Sequence, residues 1–419
     1  MKLDDFCQIN PTVQLNRNEE YEFVEMADLV PGDRYVFSKN KKIFNGSFSK
    51  FSNKDTLMAK ITPCLENGKI SQYIGTNKAF GSTEFNIFRE KENVSDANYL
   101  YYLISSTIVK DPAIKSMSGA TGRQRANLDE IKQINVPDFN IATQEKIAKI
   151  LSNYDDLIEN NNKRIKILEE MAQKIYKEWF VDFKFPNHET ATFKDSELGK
   201  IPSDWNSKPI GELLEHQIGG GWGNEEQSDK YTESAYVIRG ADIPNGRDGN
   251  IQNCPLRYHT KSNIKTRLLK ANDIVFEVSG GSKGQPVGRA LLLNKNLFNQ
   301  FNDNVICASF CKLLRTDTKQ ILPEIVYLHL LNIYNNGKIE KYQTQSTGII
   351  NFKFTFFLES EQILVPSNNI QELFKKIIVP IFDEISLLGY KNQTLKQTRD
   401  LLLPRLISGE IDVENMEVK

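Results

Sequence analysis

Apolar positions along the chain follow two rhythms. Alternating steps of four and three residues from Ile147 reach Leu151, Tyr154, Ile158, Asn161, Ile165, Leu168, Ala172, Ile175 and Trp179. That spacing holds one stripe on one face of a helix, so it predicts a long coiled-coil helix whose apolar seam is interrupted only by Asn161. Moving the ladder by 227 residues gives Phe374, Ile378, Ile381, Ile385, Leu388, Asn392, Leu395, Arg399, Leu402 and Leu406, a second seam that again contains an Asn. Pro380 and Gly389 lie within this second stretch and should kink or loosen it locally. Elsewhere short β-rich runs (VIRGADI, DIVFEV, RALLL, CASFCKLL) alternate with Gly and Asn turns and short helices such as NYLYYLISS, the pattern of an α+β domain.

The chain also repeats itself. EFVEMADLV matches YVIRGADIP at an offset of 214, and DTLMAKITPCLENGK, from Asp55, matches DIVFEVSGGSKGQPVGR, from Asp273, at 218. STEFNIFR matches CASFCKLLR at about 225, IKQINVP matches SEQILVP at 229, and QEKIAKILSNYDDLIE matches QELFKKIIVPIFDEIS at 227 or 229. Five matches in one order, drifting as loops lengthen, make the chain two copies of a unit of roughly 200 residues. The expected organisation is a globular domain over 1–137, a helix over 138–182, a linker over 183–200, a second globular domain over 201–366, a second helix and C-terminal segment over 367–410, and a tail over 411–419. One such helix alone could simply pack on its own domain; two similar ladders in one chain favour mutual pairing. Because a folded domain intervenes, the pairing is expected to be antiparallel, and about 34 helical residues span on the order of 50 Å. The predicted fold is therefore α+β, with two similar domains separated by an antiparallel coiled coil in a pseudo-two-fold repeat. Residues 142–180 carry seven acidic and seven basic side chains, a neutral flank that fits a solvated coiled coil better than a helix gripping DNA.

Composition narrows the class. A length of 419 residues suggests several domains, and 39% hydrophobic residues exclude wholesale disorder. Fifty-three Lys and Arg against 54 Asp and Glu leave a net charge of −1, so a nucleic-acid partner would have to be met by local patches. The N-terminal MKLDDFCQIN does not resemble a signal peptide and no apolar run is long enough for a membrane span, so a cytoplasmic location and no membrane partner are expected. Five scattered cysteines without a CxxC pair argue against disulfides and zinc, and Cys307 and Cys311 fall in a run that looks like a buried strand. His188, His216, His259 and His329 lack metal-ligand spacing. No phosphate-cradling loop, catalytic triad or methyltransferase motif is present; GGGWG at 219–223 does not follow a clear strand and open a helix, so it fits dinucleotide binding poorly and a flexible turn better. Catalytic and metal residues are accordingly expected to be absent.

Local charge is more informative. Residues 39–78 hold eight lysines (Lys39, Lys41, Lys42, Lys50, Lys54, Lys60, Lys69, Lys78) against two acids, and the equivalent stretch, 257–296, holds eight basic residues (Arg257, Lys261, Lys265, Arg267, Lys270, Lys283, Arg289, Lys295), also against two. A net excess of six in each copy suits phosphate contacts. Within these windows Asn67 and Lys69, and Ser282 and Lys283, flank Gly-rich turns that would let backbone approach DNA closely. Arg123, Gln124 and Arg125 follow MSGATG, and Gln343 and Gln345 occupy the matching place in copy two; Arg reads guanine and Gln reads adenine bidentately, so these loops are candidates for base reading.

Three passages carry a family resemblance: IKQINVPDFNIATQEKIAKILSNYDDLIE, the joining segment WFVDFKFPNHETATFKDSELGKIPSDW, and the ending TRDLLLPRLISGEIDV. With the duplication, the chain resembles the specificity (S) subunits of type I restriction-modification enzymes over essentially its whole length. The resemblance implies two target recognition domains, each reading half of a split double-stranded DNA sequence. It also implies helices that set the spacer and dock two methyltransferase (M) subunits, with motor-nuclease (R) subunits joining the complex. S-adenosylmethionine, ATP and Mg²⁺ would then belong to those partners, with no cofactor on this chain. Copy one lacks the IPxxW entry of copy two, so its N-terminal edge is expected to differ. The rival readings are a two-headed coiled-coil scaffold for protein partners, which leaves the paired basic windows unexplained, and an S-like subunit of a related bipartite system.

Overall fold

The β-rich runs contribute short strands in a computed structural model that describes residues 1–120, 122–281, 285–346 and 349–416. The chain divides into one unit of residues 1–160 with the segment from 394 onward, and a second unit of residues 161–393. The two long helices, Ile141–Phe180 and Asn368–Ile407, each contribute residues to both.

In the first unit, Cys7–Ile9, Phe85–Glu90, Thr56–Ala59, Ile70–Tyr73 and Tyr35–Val36 form one sheet in that order. Asn40–Ile43, Glu20–Val24, Ala79–Gly81 and Ser49–Phe51 form another. The second unit repeats the plan with Leu214–Gly219, Cys311–Thr316, Ile274–Glu277 and Ala290–Leu292 in one sheet, and Leu256–His259, Glu233–Ile238 and Val305–Cys307 in the other. Each smaller sheet contains one parallel pair: Val24 faces Gly81, and Ile238 faces Cys307.

The repeat extends to single hydrogen bonds. Arg89 Nε and Nη2 donate to Asp55 at 2.7 and 2.6 Å; Arg315 Nε and Nη2 donate to Asp273 at 2.8 and 2.6 Å. Both carboxylates are buried, so each bidentate partner answers a desolvation cost that neither acid could bear alone. Asp28 Oδ2 accepts from the Glu25 amide at 2.7 Å, as Asp242 Oδ2 does from Arg239 at 2.8 Å. The N-terminal edge differs: Lys2 and Asn135 form a single bridge where copy two pairs Asn206–Pro209 with Gln362–Val365.

The helices run antiparallel within each unit. In the second, Trp179 and Phe180 meet Phe374 at ring-centroid distances of 5.5 and 4.7 Å, while Asn161 Nδ2 donates to Asn392 Oδ1 at 2.8 Å. In the first, Ile147, Ala148 and Leu151 share a core with Leu406 and Ile407, and Asp155 pairs with Arg399. Ile147, Leu151, Ile158, Ile165, Trp179, Phe374, Ile378, Ile385, Leu388 and Leu406 are buried. Tyr154, Leu168, Ile175, Leu395 and Leu402 are half-buried. The seam is wider than the ladder because the helices also pack on the globular domains: Ile165, Ala172 and Tyr176 belong to the same core as Ile274, Phe276 and Leu328.

Two local expectations change. The second helix runs unbroken through Pro380 and Gly389, and Gly389 is a tight packing point, since a Cβ there would collide with the backbone of Asp248 and Gly249. Cys307 and Cys311 are buried in two separate strands, and Phe310 between them stands 61% exposed on a turn. Burial pushes the Cys307 thiol up to about 12, consistent with a packing role. No helix among the described residues is long and apolar enough to cross a membrane.

Candidate nucleic-acid interface

Each domain ends its central strand against a turn and a hairpin. In copy one, Lys60 follows Thr56–Ala59; its amide donates to the Glu84 carbonyl at 2.9 Å and its carbonyl accepts from Ala126 at 2.8 Å. Ser118 and Arg125 exchange backbone bonds of 3.0 and 2.9 Å, and Thr62 and Gln124 are joined through both backbone and the Thr62 hydroxyl. Gly119 and Gly122 adopt positive φ in the connecting turn, where a side chain would be strained. In copy two, Val278 donates to the Phe310 carbonyl and accepts from Phe352, both at 2.9 Å. The strand Ser279–Gly280 then pairs with Ile349–Phe352, which pairs with Gln343–Ser346. The backbone frames correspond: Lys60 with Val278, Glu84 with Phe310, Arg125 with Asn351 and Ala126 with Phe352.

The side chains on those frames differ. Arg125 donates to Glu84 through Nε at 2.9 Å and Nη2 at 2.6 Å, and this bond holds the Glu84 carboxyl below its ordinary range. Arg123 is exposed and Gln124 half-buried. Gln343 turns inward, with Nε2 on the Val287 carbonyl at 3.2 Å. Ser282 and Lys283, together with the side chain of Gln345, lie outside the described residues.

The basic windows resolve into used and unused cations. Lys41 and Lys42 lie on the exposed edge strand Asn40–Ile43, with Lys39 just before it. Lys39 reaches Asp28 at 3.1 Å, and Lys42 reaches Glu25 at 2.7 Å, but all three stay exposed and weakly committed. Lysines there also discourage strand addition at a bare edge. Lys261 and Lys265 are exposed on the helix Lys261–Arg267, whose N-terminus is capped by the Thr260 hydroxyl at 3.2 Å from the Asn263 amide.

Four expected contacts are otherwise engaged. Arg289 is clamped by Glu277 at 2.8 and 2.6 Å and nearly buried. Lys69 donates to the Met26 carbonyl at 2.8 Å. Arg257 pairs with Glu225 at 2.7 Å beneath Trp222. Asn67 lines a cavity of about 440 Å³ with Tyr101, Lys110 and Arg399, away from the hairpin. The hairpin register corrects the sequence match, which set Phe310 opposite Phe85 and put Gln343 and Gln345 in the place of Arg123–Arg125; the backbone bonds set Phe310 opposite Glu84 and Asn351 opposite Arg125, a shift that loops of unequal length hide in the sequence. Among the described residues no cluster of His, Cys, Asp and Glu could hold a metal ion.

Known proteins repeat this duplicated layout. The type I restriction modification DNA specificity domain matches the chain twice, over residues 1–170 and 202–397. The chain belongs to the specificity (S) subunits of type I restriction-modification enzymes. The type I restriction enzyme MjaIX specificity subunit of Methanocaldococcus jannaschii is 27% identical over 76% of this chain and 70% of its own length. The HindI specificity subunit of Haemophilus influenzae is 26% identical over 79% of this chain and 81% of its own. The crystal structure of an S subunit from M. genitalium superposes with a TM-score of 0.50 at 14% identity, covering 97% of this chain and 95% of that one, a likeness of fold. Within this S subunit, the two hairpins share corresponding backbone bonds and carry different side chains on them.

Proposed function

We propose that the chain is the non-catalytic subunit that selects DNA for a type I restriction-modification complex, each globular domain reading one half of a bipartite double-stranded target. The doubled hairpin carries this reading. One backbone frame bearing Glu84 and Arg125 in one copy and Phe310 and Asn351 in the other is what two readers of different half-sites require. Exposed Lys39, Lys41 and Lys42 in one domain and Lys261 and Lys265 in the other supply phosphate contacts.

The long helices set the unspecified gap between half-sites and dock two methyltransferase subunits, with motor-nuclease subunits completing the complex. Support comes from apolar side chains that neither seam nor domain covers: Leu157, Ile167, Met171, Ile377, Leu387 and Leu401 are 40–73% exposed. S-adenosylmethionine, ATP and Mg²⁺ belong to those partners, and the complex works in the cytoplasm. Exchanging residues 201–366 for another such domain tests the reading. One half of the methylated sequence should change and the other stay fixed; a change in both halves, or in neither, contradicts independent readers.

A further inference from the structure

The DNA-reading proposal leaves the glycine-rich stretch GGGWG without a role, and the structure makes this loop close-packed. Gly220 donates to the Cys311 carbonyl at 3.0 Å, Gly221 to Cys307 at 2.9 Å, and Asn224 exchanges two 2.9 Å bonds with Tyr258. A Cβ on Gly220 would collide with the carbonyls of Cys307 and Ala308. One on Gly223, whose φ is +71°, would meet the buried His259 ring. The glycines therefore serve close approach, and what the clamped loop presents is Trp222. That indole is 40% exposed, whereas Trp179 and Trp205 are 8% and 0% exposed. The Arg257 guanidinium lies 4.4 Å from its ring centroid, and the helix bearing Lys261 and Lys265 packs against Gly221 through Asn263 and Arg267.

The same clamp holds a second aromatic. Cys311, the acceptor for Gly220, closes the turn Ala308–Cys311 with a 2.8 Å bond, and Phe310 projects from that turn. The Phe310 carbonyl accepts from Val278 at 2.9 Å and Ser279 at 3.3 Å, at the root of the second hairpin. In copy one the corresponding position is Glu84, neutralised by Arg125. Copy two thus places exposed apolar rings on fixed backbone, Trp222 in a loop packed against the helix that bears Lys261 and Lys265, and Phe310 at the root of the hairpin. Rigid aromatics lose little entropy on binding, and the π-face of a base is the surface that a ring amid cations accepts.

We propose that Trp222 and Phe310 are specificity-determining residues of the second domain, making apolar contact with bases of its half-site while lysines hold the phosphates. This rests on the DNA-reading function above. The test uses the full chain co-purified with its methyltransferase partner and a duplex library varied at each base pair of both half-sites. Trp222→Ala and Phe310→Ala should each weaken cognate binding about tenfold and flatten discrimination at one or two positions of the second half-site. The first half-site should keep its preferences, and the slope of log affinity against log salt should not change, because no phosphate contact is lost. Trp222→Phe and Phe310→Leu should restore most of the discrimination, which a folding defect would not allow. Unchanged selectivity in both alanine variants, or loss spread evenly over all sequences, overturns the assignment while leaving the domain reading in place. A wild-type complex that prefers no duplex overturns both.

Discussion

Arg399 occupies a seam position that three-four spacing reserves for an apolar side chain, and Asp155 allows it to remain there. The pair is buried, and Tyr102 also donates to Asp155 at 2.5 Å while accepting from Arg34 at 3.1 Å. Removing one partner leaves the other charge desolvated, so Asp155→Asn should destabilise the first unit by about 3 kcal/mol in chemical denaturation. Glu361 plays a comparable part in the second unit. Burial opposes its ionisation, but His329, Lys338 and Tyr342 bond its carboxylate and hold it at about 2. A carboxyl lowered from 4.5 to about 2 stabilises the fold fully above pH 4.5, and that stabilisation fades as pH falls through about 2. Glu361→Gln should therefore be less stable at neutral pH and lose this part of the acid dependence, measured by thermal unfolding across pH 2–6. The Asn and Arg interruptions were legible in the ladder; Asp155 and Glu361 were not, because Arg399 and His329 lie 244 and 32 residues from them, their other partners are also remote, and neither sits on a ladder position.

At the scale of elements, periodicity located both long helices, because a 40-residue amphipathic stretch leaves one consistent signal. It could not show that one helix side would be divided between the opposite helix and a globular core. Gly389 separates the two kinds of information. Helix propensity alone favours Ala there by about 1 kcal/mol. The close backbone of Asp248 and Gly249 reverses the sign, so Gly389→Ala should destabilise the second unit by about 1–3 kcal/mol. A rise in melting temperature would show that this contact yields easily. The Asn161–Asn392 bond is buried in the seam, the arrangement by which a polar seam pair can specify register at some expense of stability. Strands were legible as runs, but their pairing into parallel and antiparallel neighbours was not, since it depends on contacts remote in sequence.

At the scale of the whole molecule, the duplication was the strongest signal, and with the three passages quoted above it carried the family resemblance. The candidate DNA-contacting side chains were the least legible part. Arg289 and Lys69 look like free cations in a sequence, yet each is consumed by a neighbour that only the fold supplies. Lys41, exposed on its edge strand, is the better candidate for phosphate contact in copy one: changing it to Ala should reduce the salt slope by about one, measured by binding at several salt concentrations. The central claim, that two domains of one chain read two halves of one target, is tested most directly by co-expressing the chain with its methyltransferase subunit and mapping methylated adenines genome-wide. The account predicts a split motif with two defined halves and a gap of fixed length. A single continuous motif, or halves separated by variable gaps, would contradict it.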